Sequence, residues 1–451
     1  MNGAFFSELL TSIADRGRNL LGLADDEAAR RTGGAAHLCE ALLSGRGEAS
    51  GTALAREVLQ SYAALDQAGK LAFFTALADQ FGPDRAKLAQ AIETWTKEPN
   101  DERSAALHYA SEPRRQEMFR RLNRAPGGTA ALVGMREDLL SLLRANPALK
   151  VVDRDFVHLL NSWFNRGFLV LRRIDWSSPA VVLEKIIRYE AVHQISDWDD
   201  LRRRIDPPDR RCYAFFHPAL VDEPLIFVEI ALSTEMPGAV QPLLAEDRTS
   251  TALAKANTAA FYSISNCQQG LAGVSFGNFL IKQVVEELRR ELPGVSTFVT
   301  LSPVPSFMKW LRDSAHLLTD TDRVTLEGLD DPQWPQDEEF AARARALLEP
   351  LAAYYFLEAR ATGNRPVDPV ARFHLGNGAR LERIDWLGDT SPKGLAESAG
   401  LMVNYLYDLD QIERNHEAFA NTGEVVASAP VRRLLKSGAR ARLAPASSVK
   451  A

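Results

Sequence analysis

Phe261-Tyr262-Ser263-Ile264-Ser265, then Gln268-Gln269-Gly270-Leu271-Ala272-Gly273-Val274-Ser275-Phe276-Gly277, then Ser296 to Leu301 running into Ser302-Pro303-Val304-Pro305: this order decides the fold. The first five residues alternate as a half-buried strand does. Three glycines follow where a helical period begins, and Phe279, Leu280, Val284 and Leu288 carry that period until Pro293-Gly294 closes it. Glycines ahead of a helix leave backbone N–H groups open to an anion, and the helix dipole favours negative charge there. A pyrophosphate is the natural ligand of such a turn. The strand after the helix delivers Ser302-Pro303 beside it, and the proline holds Ser302 in an extended conformation.

Outward from this stretch, the texture of the chain changes near Trp163. Before it, apolar residues recur at helical spacing: Phe6, Leu9, Leu10 and Ile13; Leu54, Val58, Tyr62 and Leu65; Leu71, Phe74, Leu77, Ala78 and Phe81. Gly82-Pro83 and Pro126-Gly127-Gly128 punctuate them. These stripes predict a helical bundle over residues 1–160. After it, Phe168 to Leu171 reads as a strand and Pro179 to Tyr189 as a helix. Cys212 to Phe216 and Leu225 to Leu232 read as antiparallel neighbours joined by a turn. Glu338 to Ala361 reads as one long helix. Arg372 to Leu375 and Leu381 to Trp386 flank Gly376-Asn377-Gly378, which predicts a hairpin. Ser391-Pro392 is an N-cap followed by proline, Leu401 to Tyr407 a strand, and residues 437–451 a loose tail. The expected fold class is α+β: an all-α bundle, then a mixed α/β domain over 161–436.

Composition narrows the function. A net charge of −6 argues against a nucleic-acid binder, which would be basic overall. No apolar run approaches the ~20 residues that span a bilayer. Neither a secretory signal nor a Ser-Lys-Leu address is expected, so a cytoplasmic enzyme is. Cys39, Cys212 and Cys267 lie far apart, which suggests neither a zinc site nor a disulfide framework; Cys267 reads as a small packing residue.

The strand, Gln-Gly-x-x-Gly turn, helix and strand resemble the acyl-CoA-binding core of the GNAT acyltransferase superfamily. The chain is more closely similar to one branch, the malonyl-CoA decarboxylases. Phe261-Tyr-Ser-Ile-Ser, Gln268-Gln-Gly-Leu, Gly277-Asn-Phe-Leu-Ile-Lys, Leu301-Ser-Pro-Val-Pro, Ala371-Arg-Phe-His-Leu-Gly-Asn-Gly and Gly400-Leu-Met-Val-Asn-Tyr-Leu-Tyr all look like that family's segments. The resemblance runs from about Leu159 to Leu406. It implies a GNAT-like catalytic domain converting malonyl-CoA to acetyl-CoA and carbon dioxide with no metal or organic cofactor. It also implies a homo-oligomer, a dimer or tetramer, with the helical region contributing to assembly.

Decarboxylation of a malonyl thioester leaves an electron pair delocalised into the thioester carbonyl. The site must then supply hydrogen-bond donors for that oxygen, hold the leaving carboxylate, and protonate the carbanion. Ser302, His374 and Tyr407 fall in the matching segments. The resemblance makes Ser302 the residue that positions and activates the malonyl group and His374 the proton donor; Tyr407 would orient the histidine or the substrate. Read as residues alone, Ser302 equally satisfies a turn, His374 is one of eight histidines, and Tyr407 is an ordinary strand aromatic. Ala272, Gly273, Val274, Ser275, Phe276, Gly277 and Asn278 match the coenzyme A pyrophosphate loop, and Ser263 would touch the acyl portion.

Two other readings stay open. Gly273-Val274-Ser275-Phe276-Gly277 also fits Gly-x-Ser-x-Gly, the α/β-hydrolase nucleophile elbow, with Ser275 as nucleophile and His374 as base. The polar, glycine and alanine residues before Ser275 do not form the strand such an elbow needs. An N-acyltransferase or acyl-CoA-binding module would share the fold, although the serine, histidine and tyrosine segments together disfavour it.

Overall fold

The structure is a computed structural model that describes residues 34–44, 47–274 and 280–436. The Phe6 to Ile13 stripe, Ser275 to Asn278 and the expected tail lie outside these residues. The chain divides into two compact units. One comprises Met1–Leu169 with His217–Val221 and Gln268–Phe276; the other comprises Val170–Phe216, Asp222–Cys267 and Gly277–Ala451. Among the described residues no helix is long and apolar enough to cross a membrane.

The first unit is helical. The stripes read from the sequence form its core: Leu54, Val58 and Tyr62 on Glu48–Ala63, and Phe74 and Leu77 on Gln67–Gln80, are buried. Phe119 on Arg114–Asn123 stacks on Phe156 of Lys150–Trp163 at 4.1 Å. Asp66 caps the second of these helices by accepting Gly69 N–H at 2.8 Å, satisfying a donor that the helix start leaves unpaired. Helices Arg85–Lys97 and Asp101–Ser111 differ: they pack on each other but bury no residue, and Ile92, Trp95 and Tyr109 are exposed.

This unit also holds the glycine turn. Gly270 sits against helix Gly128–Leu142 so closely that a Cβ there would lie 2.0 Å from the Val133 carbonyl oxygen. Arg136, buried in that helix, donates to the Gly270 carbonyl at 2.8 Å and to Asp153 at 2.8 Å. Glycine is required here for close approach rather than for turn geometry.

The second unit is built on an eight-stranded mixed sheet. Its strands are β1 (Val170–Ile174), β2 (Arg210–Phe216), β3 (Pro224–Ser233), β4 (Thr258–Asn266), β5 (Thr297–Thr300), β6 (Ser302–Pro303), β9 (Arg380–Asp385) and β10 (Met402–Leu406). Two short strands, β7 (Arg360–Ala361) and β8 (Arg365–Pro366), pair separately. The order is β1-β2-β3-β4-β5-β10-β6, with β9 also on β10. Strands β1 to β4 are antiparallel in succession, while β4 and β5 are parallel and joined through helix Leu280–Glu291, as a parallel pair needs a crossover. This is the expected α+β arrangement. β2 and β3 are almost entirely buried, which explains why they read as continuous apolar runs.

Two sequence expectations are corrected. The Glu338 helix ends at Leu357, and the chain turns into β7 rather than staying helical to Ala361. The hairpin expected around Gly376-Asn377-Gly378 does not form, because Pro369–Gly376 is a helix. Asp368 caps it by accepting Ala371 N–H at 2.8 Å, and Pro369 takes the first helical position. The Asn-Gly pair is its C-terminal cap: Gly378 adopts φ +82°, and Ala379 N–H returns to the His374 carbonyl. The Asp368-Pro369 signal was available in the sequence, and the glycine after the helix satisfies a cap as readily as a turn.

Candidate functional site

The parallel ladder between β4 and β5 runs from Thr258↔Thr297 to Phe261↔Thr300 and stops there, although β4 continues to Asn266. One further backbone bond, Leu301 N–H to the Phe261 carbonyl at 2.8 Å, closes the pairing. Beyond it the chain after β5 turns to pair with β10, with Ser302 opposite Val403. The strands therefore part, and a cleft of about 230 Å³ opens between them. Tyr262, Ile264 and Asn266 line one side and Leu301, Ser302 and Pro303 the other, while Val370, Phe373 and His374 of helix Pro369–Gly376 close the end. This is the carboxyl-end opening of a parallel pair, where open α/β sheets bind ligands.

At that end the structure brings Ser302, His374 and Tyr407 together. Ser302 Oγ lies 3.0 Å from His374 Nε2, and His374 Nδ1 lies 2.8 Å from the Tyr407 hydroxyl. Ser302 Oγ donates to Thr300 Oγ1 at 2.8 Å. All four side chains are buried. The His374 ring lies against Tyr405 and meets Phe373 edge-on. Burial alone pushes the His374 imidazole down from 6.5 to about 3, so it is neutral across the ordinary pH range. Burial likewise holds the Tyr407 phenol well above its usual value.

Each position has a local cause. Thr300 and Ser302 are two residues apart along the strand, so their side chains share a face. Tyr405 on β10 and Tyr407 just beyond its end have the same spacing, and both touch His374. His374 is in the last turn of its helix. The helix replaces the strand expected there and still delivers the ring to the cleft.

Ser263 is placed differently. It does not line this cleft; its buried hydroxyl donates to the Glu190 carboxylate, 2.7 Å from Oε2 and 2.8 Å from Oε1. Glu190 also accepts the backbone N–H groups of Val192 and His193, each at 2.8 Å. Across the ladder from Ser263 is Glu229, fully buried, with one oxygen 3.3 Å from Arg204. Burial, reinforced by Glu190, pushes the Glu229 carboxyl up to about 8. Of the proposed pyrophosphate loop, Ala272, Gly273 and Val274 follow the 3-10 turn Gln269–Leu271, and Gly273 adopts φ +75°; Ser275, Phe276, Gly277 and Asn278 lie outside the described residues. Cys267 is buried, and burial pushes its thiol up, which fits the packing role expected of it.

Sequence reading missed Thr300, Tyr405 and Glu190. The first two carried a signal, because each stands two residues along an extended segment from a residue already singled out. Glu190 carried none: it is far from Ser263 in the chain, and only the fold makes them partners.

A buried serine–histidine–tyrosine chain at the end of an apolar cleft, set where two parallel strands part, is a candidate enzyme site on a mixed sheet. Comparison with known proteins specifies which kind. Residues 167–444 match the malonyl-CoA decarboxylase C-terminal domain, and residues 81–164 match the malonyl-CoA decarboxylase N-terminal domain. The mitochondrial malonyl-CoA decarboxylase of Anser anser anser is 37% identical over 413 residues, covering 83% of this chain and 82% of that protein. A crystal structure of malonyl-CoA decarboxylase from Rhodopseudomonas palustris superposes with a TM-score of 0.87 at 60% identity, over 89% of this chain and 98% of that one. The corresponding structure from Agrobacterium vitis gives 0.85 at 54% identity, over 89% and 99%. The chain is an enzyme of the carboxy-lyase class. It belongs to the malonyl-CoA decarboxylase family.

Proposed function

We propose that this enzyme converts malonyl-CoA to acetyl-CoA and carbon dioxide through a thioester enolate, with Ser302 positioning the malonyl group and His374 supplying the proton. The observation that carries the reading is the hydrogen-bonded chain from Ser302 through His374 to Tyr407, buried at the end of the cleft. The C1–C2 thioester portion would lie along the parting of β4 and β5, with the thioester oxygen or the carboxylate on Ser302. The bond from C2 to the carboxylate breaks, its electron pair enters the thioester carbonyl, and carbon dioxide leaves. His374 then gives its Nε2 proton to C2 while the Tyr407 hydroxyl passes its proton to Nδ1, so that the ring stays neutral and the phenolate is reprotonated from solvent. The thioester is itself the electron sink, so the reading requires no metal or organic cofactor.

The electrostatics of the cleft support this direction. Among its described lining residues none is cationic. A carboxylate in such surroundings loses its hydration without gaining a counter-ion, while decarboxylation spreads the charge into the enolate. Ala272 to Asn278 would hold the pyrophosphate through backbone N–H groups, and Ser263, through Glu190, would support the wall of the cleft rather than touch the acyl group.

The homo-oligomer belongs to the same proposal. Helices Arg85–Lys97 and Asp101–Ser111 bury none of their residues yet expose Ile92, Trp95 and Tyr109, and a second copy of the chain would cover them. The cytoplasmic location read from the sequence is proposed with it, and cell fractionation tests that point.

The deciding experiment is incubation of purified protein with malonyl-CoA and no acceptor. Acetyl-CoA and carbon dioxide are expected. An absolute requirement for an amine would make the protein an acyltransferase, and free coenzyme A with malonate would make it a thioesterase. Ser302→Ala should lower kcat by ~10²-fold or more, and Ser275→Ala should act mainly on KM. A hydrolase would reverse that order. The structure gives it little support, since β4 ends at Asn266 and a 3-10 turn intervenes before Ser275.

A further inference from the structure

Ser302 has one hydroxyl proton and two polar neighbours, Thr300 Oγ1 at 2.8 Å and His374 Nε2 at 3.0 Å. The geometry gives the proton to Thr300. Thr300 Oγ1 is itself pinned, because it also accepts the backbone N–H of Tyr405 at 3.1 Å, and its carbonyl accepts Asn404 Nδ2 at 2.7 Å. Thr300 is fully buried, so no water competes for these bonds. With its proton committed, the Ser302 oxygen presents a lone pair to His374, and the Nε2 of the ring must be the nitrogen that carries hydrogen. Nδ1 is then bare and accepts the Tyr407 O–H at 2.8 Å. With Thr300 as the acceptor, the donors along the chain run one way: Tyr407 to His374, His374 to Ser302, Ser302 to Thr300.

We propose that Thr300 is the positioning residue that sets the tautomer of His374, holding the transferable proton on Nε2, the nitrogen that faces Ser302 and the cleft. A Ser302 released from Thr300 would turn its proton onto Nε2, as an activated nucleophile does, and the ring would carry its hydrogen on Nδ1 against Tyr407 instead. The imidazole would then have no proton to deliver toward C2. Thr300 thus decides whether the pair acts as a proton donor or as a serine nucleophile with its base. Only the kinetic consequence of this inference rests on the decarboxylase reading; the tautomer is a property of the resting protein.

The test uses the full chain labelled with ¹⁵N-histidine, with the His374 signals assigned by their loss in His374→Gln. Wild type should show a protonated Nε2 and a bare Nδ1. Thr300→Val, which keeps the shape and removes the acceptor, should move the proton to Nδ1 and lower kcat at least about tenfold with KM within about twofold. Thr300→Ser should restore both the tautomer and kcat. Tyr407→Phe serves where Thr300→Val fails to fold: with Thr300 intact the proton should stay on Nε2. Thr300→Val with an unchanged tautomer overturns the proposal even if activity falls, and so does a Tyr407→Phe protein whose proton has moved to Nδ1. A wild-type protein with the expected tautomer that releases no carbon dioxide from malonyl-CoA would refute the decarboxylase reading and leave the tautomer assignment standing.

Discussion

The imidazole of His374 lies almost flat on the ring of Tyr405, with centroids 4.5 Å apart and planes 24° from parallel. That contact fixes the plane of the ring, while the bonds to Ser302 and Tyr407 fix its rotation. Tyr405→Leu keeps an apolar filler but loses the flat face. Its kcat should fall about tenfold or more through misorientation of the proton donor, against a stability loss of only ~1–3 kcal/mol. Tyr405→Phe keeps the face and should retain most of the activity. Steady-state kinetics beside thermal melts check the split; equal activity in the two variants would remove the stacking from the account.

Stability should depend on pH from two sides. The folded protein keeps His374 neutral down to about 3, whereas the unfolded chain protonates it near 6.5. Between those values the unfolded state binds the extra proton, so stability falls as pH drops below 6.5. Glu229 has the opposite sign, because its folded carboxyl is raised from 4.5 to about 8. The stability it contributes is complete below 4.5 and is lost as pH rises toward 8. Melting temperatures across pH 4 to 9 should show a flatter acid limb in His374→Gln and a flatter alkaline limb in Glu229→Gln. In the free enzyme, His374 should also leave no break near 6.5 in the pH profile of kcat/KM.

Gly270→Ala should damage the helical unit and the loop together. A Cβ at that position meets the Val133 carbonyl oxygen at 2.0 Å, so backbone must move, and Arg136 loses its bond to the Gly270 carbonyl. The expected cost is ~1–3 kcal/mol, with KM for malonyl-CoA raised more than kcat is lowered. Denaturant unfolding and kinetics measure the two; an alanine variant as stable as wild type would show that the loop yields freely.

A cation placed in the cleft should help binding and hinder chemistry. Val370, half-buried in the lining, is a position where lysine has room to reach a substrate carboxylate. Val370→Lys would stabilise the carboxylate more than the charge-dispersed transition state, so KM should fall and kcat should fall about tenfold. A rise in kcat would contradict desolvation as a contributor to the reaction.

The exposed helical pair makes assembly testable. Trp95→Glu combined with Tyr109→Glu puts charge where a second copy would need apolar contact, and neither residue is buried in the chain itself. Light scattering should show a smaller particle with an unchanged melt of the isolated chain. An unaltered mass would move the interface elsewhere.

Much of this molecule was legible in one dimension, and the reason is periodicity. The helical stripes at Leu54 and Phe74, the buried runs of β2 and β3, and the Ser391-Pro392 cap each follow from local rules, and each formed where the spacing put it. Ser302, His374 and Tyr407 were found through segments that resemble a family, not through anything in their spacing, since 72 and 33 residues separate the pairs that bond. Where local signals competed, position alone could not choose. Gly376-Asn377-Gly378 suits a hairpin or a helix cap, and burial of Ala371, His374 and Leu375 on one helical face selected the cap. Tertiary structure alone decided that β4 and β5 part after Phe261 and so open a cleft, that Glu190 reaches Ser263, and that Gly270 presses on Val133. Those facts depend on which surfaces meet across long separations. The bond from Ser302 to Thr300 was decided most locally, by a buried threonine oxygen two residues away along the chain.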